Sequence, residues 1–184
     1  MRVHRTELEG VLLIEPDVYP DERGYFLETW QARRYHACGL PERFVQDNVS
    51  FSRKGVLRGL HFQNPHPQGK LVTALQGEIF DVAVDLRRGS PTFGRWTAAI
   101  LSGANGRQLY VPEGFAHGFV VLSETALVHY KCTDYYDPAA DGGLRWDDPD
   151  LAIAWPVQDP ILSPKDAAAP YLRELAEERL FLLR

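Results

Sequence analysis

Between Val11 and Asp134 short apolar segments alternate with clusters of Gly, Pro, Asn and Asp, with no internal repeat or low-complexity linker. That alternation is the signature of an all-β sandwich or barrel. The clearest strand runs from Glu78 to Leu86, where Phe80, Val82, Val84 and Leu86 fall on one face and Asp81 and Asp85 on the other. Further strands are expected at 11–14, 44–52, 55–62, 70–76, 95–101, 108–111, 118–122 and 126–134. Turn signals separate them: Asn64-Pro65, Gly89-Ser90-Pro91, Ala104-Asn105-Gly106 and Pro112-Glu113-Gly114. Two helices are expected at the periphery. Thr29 caps a short one ending at Gly39. Pro170 opens the other, with Leu172, Leu175 and Ala176 as its apolar stripe. Both read as packing devices.

The 184 residues fit one domain, 1–184, with a C-terminal helical segment from about residue 163. The apolar fraction of 45% is enough for a core. A formal net charge of -5 argues against nucleic-acid binding through a basic surface. It leaves room for an anionic small ligand, because clustered arginines and lysines outweigh a global sum. Cys38 and Cys132 lack CxxC spacing and are too few for a disulfide scaffold, so they read as incidental thiols of a reducing cytosol. No apolar run reaches the roughly 18 residues of a membrane span. The segment Met1 to Arg5 lacks the apolar stretch of a secretory signal. A cytoplasmic protein is expected.

From Gly106 to His117 the chain reads G-RQLYV-P-E-G-FA-H. Pro112 and Gly114 turn the chain tightly at a strand end, and the next strand then points His117 inward. This pattern resembles the second signature motif of the cupin superfamily, although Val121 stands where the pattern has Asn. The first cupin motif is half present: Gly55, five residues, then His61. A metal-binding cupin continues with a second His and a Glu, but Gln63, Pro67 and Gln68 occupy those places. The fold class implied is an all-β cupin-type jelly-roll barrel with short peripheral helices, holding no metal and no cofactor.

The stretch Ser50–Lys70 brings Arg58, His61 and Lys70 close in sequence. Arg58 and His61 lie three apart and would face opposite ways in a regular strand, but Gly59 between them permits a bulge that aims both inward. Lys70 shares a face with Val72 and Ala74. Either it snorkels at a strand end, or it joins His61 in one pocket. Tyr130 shares a face with Val128 and Cys132, a placement that suits a core residue as well as a proton donor. Asp166 sits at a possible helix start, where it supports the N-terminus or serves the site.

Taken together, GVLRGLHFQ…QGKLV, GEIFDVAVDLR…SPTFG, QLYVPEGFAHGF and LSPKD resemble the dTDP-4-dehydrorhamnose 3,5-epimerase family, in the family's order and from about Asp21 to Pro170. The resemblance implies a metal-free isomerase that inverts C3 and C5 of dTDP-4-dehydro-6-deoxy-D-glucose, giving dTDP-4-dehydro-L-rhamnose. It puts the base on His61, the proton donor on Tyr130 and the base's carboxylate partner on Asp166. Substrate-binding positions fall on Arg23, Glu28, Gln46, Asn48, Arg58, Lys70, His117 and Lys165. A Glu frequent in the family is replaced by Asp141, one methylene shorter. It also implies a homodimer with an exchanged N-terminal strand, so that Arg23 and Glu28 serve the partner's site.

The residues fit that chemistry. A neutral imidazole can remove a proton acidified by the neighbouring ketone. Asp166 can fix its tautomer, and Lys70 can offset charge on the enolate oxygen. Arg23 and Arg58 suit a diphosphate. Phe26 or the pair Tyr135-Tyr136 can stack on thymine or simply pack. Two alternatives stay open: epimerisation at one carbon only, and a non-catalytic sugar-binding jelly roll. The joint presence of His61, Tyr130 and Asp166 disfavours the second.

Overall fold

The structure is a computed structural model and describes residues 1–183. Along the chain run β1 (Arg2–Arg5), β2 (Leu12–Glu15), β3 (Val18–Asp21), β4 (Gly24–Leu27), α1 (Ala32–His36), β5 (Gln46–Arg53), β6 (Leu57–Gln63), β7 (Lys70–Gln76) and β8 (Glu78–Asp85). They are followed by β9 (Arg87–Arg88), β10 (Trp96–Ser102), β11 (Gln108–Val111), β12 (Phe115–Val121), β13 (Thr125–Cys132), β14 (Asp141–Gly143), α2 (Pro164–Ala167) and β15 (Phe181–Leu182). Two sheets form the jelly roll, six strands in the order β1-β2-β11-β7-β13-β5 and five in the order β10-β8-β12-β6-β14. Every pairing in the two is antiparallel. No helix among the described residues is long and apolar enough to cross a membrane.

Burial follows the period of two. The interior between the sheets is filled by Val72 and Ala74 of β7, Ile79 and Ala83 of β8, Phe115 and Phe119 of β12 and Val128 of β13. The same inward rows carry Lys70, Asp81, His117 and Tyr130, so the site is cut into the core's own surface. The apolar stripe Phe80, Val82, Val84 and Leu86 points the other way. It is roofed by Leu144, Leu151, Trp155, Leu172, Leu175 and Phe181 from the C-terminal third. Both faces of the five-stranded sheet are therefore buried, and every residue of β12 is buried with them.

The expected bulge is present. His117 pairs with His61 and Phe119 with Arg58, so β6 takes three steps where β12 takes two. Gly59 makes this possible at φ 128°. A Cβ there would lie 2.6 Å from Gly118 Cα and 2.9 Å from the His117 carbonyl oxygen. Gly59→Ala is expected to cost about 3 kcal/mol, from strain and overpacking together. Urea unfolding followed by circular dichroism checks this, and a loss under about 1 kcal/mol would contradict the packing argument.

The peripheral helices differ from expectation. The first spans only Ala32–His36, and its cap is Gln31, whose side chain accepts from the Arg34 backbone N–H at 2.6 Å; Thr29 does not cap it. The C-terminal segment forms α2 and two 3-10 turns, Leu172–Glu174 and Glu177–Arg179, with no helix through Leu175 and Ala176. Leu172, Leu175, Leu180 and Phe181 instead spread over the outer face of the five-stranded sheet. Burial against a broad sheet outweighs the propensity of a short amphipathic run.

Candidate active site

His61 lies on β6 between Leu60 and Phe62, which both join the outer apolar layer, so alternation turns its ring inward. Its Nε2 is 2.6 Å from Asp166 Oδ1. Asp166 arrives 105 residues later on α2. That turn opens on Ser163, whose Oγ accepts from the Asp166 backbone N–H at 3.1 Å, with Pro164 as its first residue. Asp166 thus serves both uses open to it in the sequence: its backbone closes a helix cap, and its carboxylate meets the histidine. The Gly59 N–H donates to Oδ2 at 3.4 Å. Burial alone would raise this carboxyl, but the hydrogen bond and charge of His61 and the Gly59 N–H outweigh it and hold it below the usual carboxylate range. With Nε2 taken by Asp166, Nδ1 is the nitrogen left to accept a proton.

Lys70 and Tyr130 come from the opposite sheet. Lys70 opens β7 beside Cys132 and Val111. Burial lowers its ammonium pKa, against the pull of Cys132, Asp141 and Asp81. Among the described residues it has no salt bridge, so its charge is free for a ligand. Tyr130 packs half-buried against the inner core, and burial raises its phenol, keeping the proton on at neutral pH. Base and phenol therefore approach the cavity from facing sheets.

Asp81 was not singled out in the sequence. His117 Nε2 lies 2.7 Å from its Oδ1, and both residues are buried. The signal was visible as an acid, alongside Asp85, on the strand face opposite an apolar stripe. What sequence alone could not say was that this face looks into the barrel.

Around the mouth, Arg58 is exposed and donates through Nε to Ser52 Oγ at 3.0 Å; the bulge does not turn it into the interior beside His61. Gln46 and Asn48 share an inward row of β5, joined at 3.2 Å. Lys165 pairs with Asp141, which also accepts from the Tyr136 hydroxyl at 3.1 Å. The tyrosine in contact with this cluster is Tyr136, while the Tyr135 side chain is exposed and makes no hydrogen bond among the described residues. Gln63, at a metal-ligand position of the cupin pattern, is spent on the loop. It donates to the carbonyls of His66 and Tyr135 and accepts from the Asp137 N–H. No group of three or more His, Cys, Asp or Glu converges as a metal cage among the described residues.

Arg23, Phe26 and Glu28 are not brought to this cluster. Arg23 and Phe26 lie on the β3–β4 ribbon, which pairs with neither barrel sheet, and Glu28 follows it. Arg23 binds Asp21 and Glu28 binds Arg34 at 2.8 Å; Phe26 is 70% exposed.

Residues 5–174 match the family model described as dTDP-4-dehydrorhamnose 3,5-epimerase. The chain is 56% identical over 176 residues to dTDP-4-dehydrorhamnose 3,5-epimerase of Methanothermobacter thermautotrophicus, covering 94% of this chain and 95% of that one. It is 55% identical over 168 residues to the enzyme of that name from Pseudomonas aeruginosa, covering 90% and 93%. A crystal structure of a dTDP-6-deoxy-D-glucose-3,5-epimerase from Legionella pneumophila Philadelphia 1, in complex with dTDP-4-keto-L-rhamnose, superposes with a TM-score of 0.97 at 54% identity. That match covers 100% of this chain and 98% of the other.

Proposed function

Because the chain belongs to the dTDP-4-dehydrorhamnose 3,5-epimerase family, we propose that it inverts C3 and C5 of dTDP-4-dehydro-6-deoxy-D-glucose, with His61 as base and Tyr130 as donor. The observation that carries the chemical part is the 2.6 Å His61–Asp166 contact on one sheet side, facing a protonated phenol on the other.

The 4-keto group acidifies the C–H bonds on both sides of it, since each carbanion delocalises as an enolate. His61 Nδ1 takes the proton while Asp166 stabilises the imidazolium that forms. Lys70, on the facing sheet, can offset the charge that develops on the enolate oxygen. Tyr130 returns a proton from the opposite sugar face, which inverts the carbon. Repeating the sequence at the second carbon needs the sugar to shift in the cavity and both groups to be reset, His61 releasing its proton to solvent and Tyr130 regaining one from it. Arg58 and the Asp141–Lys165 pair stand at the mouth for the diphosphate and nucleoside, and Gln46, Asn48 and His117 for polar groups of the ligand. Tyr136 is better placed than Tyr135 to stack on the base.

The expected result in deuterated water is label at both C3 and C5 of the sugar, followed by proton NMR. Label at a single carbon would make the chain a single-site epimerase. No label, with ligand bound to folded protein, would end the proton-transfer reading.

The proposal includes a homodimer. Val49 and Phe51 on β5 and Leu75 on β7 are 60%, 64% and 45% exposed, and the β3–β4 ribbon adds Tyr19, Tyr25 and Phe26. Exposed apolar residues of this size gathered on a sheet face and an adjoining ribbon suit a subunit interface. A second copy there would receive Arg23 and Glu28 at its own site. Sedimentation is expected to give a dimer, and Phe51→Glu to shift it toward monomer; a monomeric parent protein would refute the exchange.

A further inference from the structure

Asp81 is fully buried in the middle of β8, in the inward row with Ile79 and Ala83. Its Oδ1 meets His117 Nε2, but Oδ2 has no hydrogen-bond partner and no solvent contact among the described residues. An orphaned buried carboxylate oxygen is a cost to folding. Its row neighbours are ordinary apolar residues, so packing does not call for an acid here. Burial pushes the carboxyl up, opposed by the charge and hydrogen bond of His117 and by Lys70.

What the acid does is visible on its partner. His117 is 7% exposed, and its Nε2 is turned into the barrel wall. Its Nδ1 has no hydrogen bond yet is not sealed from solvent among the described residues. His117 is also the register partner of His61 on the neighbouring strand. In both pairs Nε2 meets a carboxylate, at 2.6 and 2.7 Å, so two adjacent imidazoles leave Nδ1 to the cavity. The charged or titratable groups around the second pair are His61 on β6 and Lys70 on β7.

We propose that Asp81 is a positioning residue, fixing His117 as the tautomer with Nε2–H in the wall and a bare Nδ1 presented to the sugar. A carboxylate does this better than a hydroxyl because it only accepts, so the ring has one way to satisfy it. Its effect on turnover rests on the epimerase reading above; its effect on the imidazole does not.

The test uses nitrogen-15 NMR of the histidine rings in the full-length protein, with His117 assigned by His117→Gln. The parent protein is expected to show one tautomer at His117, protonated at Nε2. Asp81→Leu removes the acceptor and the orphaned oxygen together. It should melt somewhat lower than the parent, because the buried His117 Nε2–H loses its acceptor, show mixed His117 tautomers, and lose at least about tenfold in kcat. Asp81→Asn keeps an acceptor, so it should retain the tautomer. An unchanged His117 tautomer and kcat in folded Asp81→Leu would overturn the proposal. If that variant does not fold, a parent His117 ring that is not the Nε2-protonated tautomer overturns it. Failure of the epimerase reading would look different: the parent protein would give no exchange while the ring signals behaved as described.

Discussion

His61→Ala is expected to stop deuterium uptake at both C3 and C5, with kcat reduced about a thousandfold or more. The two carbons should fall together, because the one imidazole that meets the Asp166 carboxylate is asked to serve both. Ground-state binding should change far less, since the ring is asked to act on the proton rather than on the nucleotide. The variant takes from Asp166 the closest of its hydrogen-bond partners and leaves it the longer contact with the Gly59 N–H. Some loss of stability must therefore be separated from loss of chemistry, by melting curves and by binding of dTDP. Added imidazole, which fits the space vacated, should restore part of the exchange. Retention of exchange at either carbon in folded His61→Ala would mean a second base serves that carbon.

Asp166→Asn is expected to be nearly as damaging, with kcat down by about a hundred- to ten-thousandfold and KM little altered. Geometry gives the reason. Asp166 Oδ1 accepts from His61 Nε2 and Oδ2 accepts from the Gly59 N–H. An amide at this place has one oxygen for two donors. If its oxygen stays on Gly59, its NH2 faces His61, which must then accept at Nε2 and carry its proton on Nδ1. That tautomer presents a proton to the sugar where a lone pair is needed. If the oxygen turns to His61, the amide NH2 meets the backbone N–H and the charge that stabilises the imidazolium is still lost. The ring signals of His61 distinguish these cases. Full activity in a folded Asp166→Asn protein would show that neither the charge nor the tautomer of the base matters.

The two predictions concern residues whose roles were legible to different depths. His61, Lys70, Tyr130 and Asp166 were marked by residue type and by the resemblance, and the inward direction of Tyr130 and Lys70 followed from a period of two. The bulge at Gly59 was also legible, because a glycine between two polar residues of a strand has few other uses. Which of the two it turns inward was not: Arg58 remains exposed on Ser52. The C-terminal helix failed because its apolar residues were read by their own spacing, and the sheet they cover is assembled from β6, β8, β10, β12 and β14, none of them neighbours of that run along the chain.

By itself, then, the sequence determined the all-β class, most barrel strands, and residue types able to remove and return a proton. Those properties are local: alternation, turn chemistry and ionisable groups are carried by neighbours along the chain. Tertiary structure alone decided that the acidic face of β8 looks inward, that Asp81 meets His117, that Tyr136 rather than Tyr135 meets Asp141, and that Arg23 and Glu28 stand on a ribbon apart from the His61 cluster. Each of those depends on which surface a second, distant segment covers. A strand's period fixes two faces, but only the packing of the whole sheet says which one water can reach.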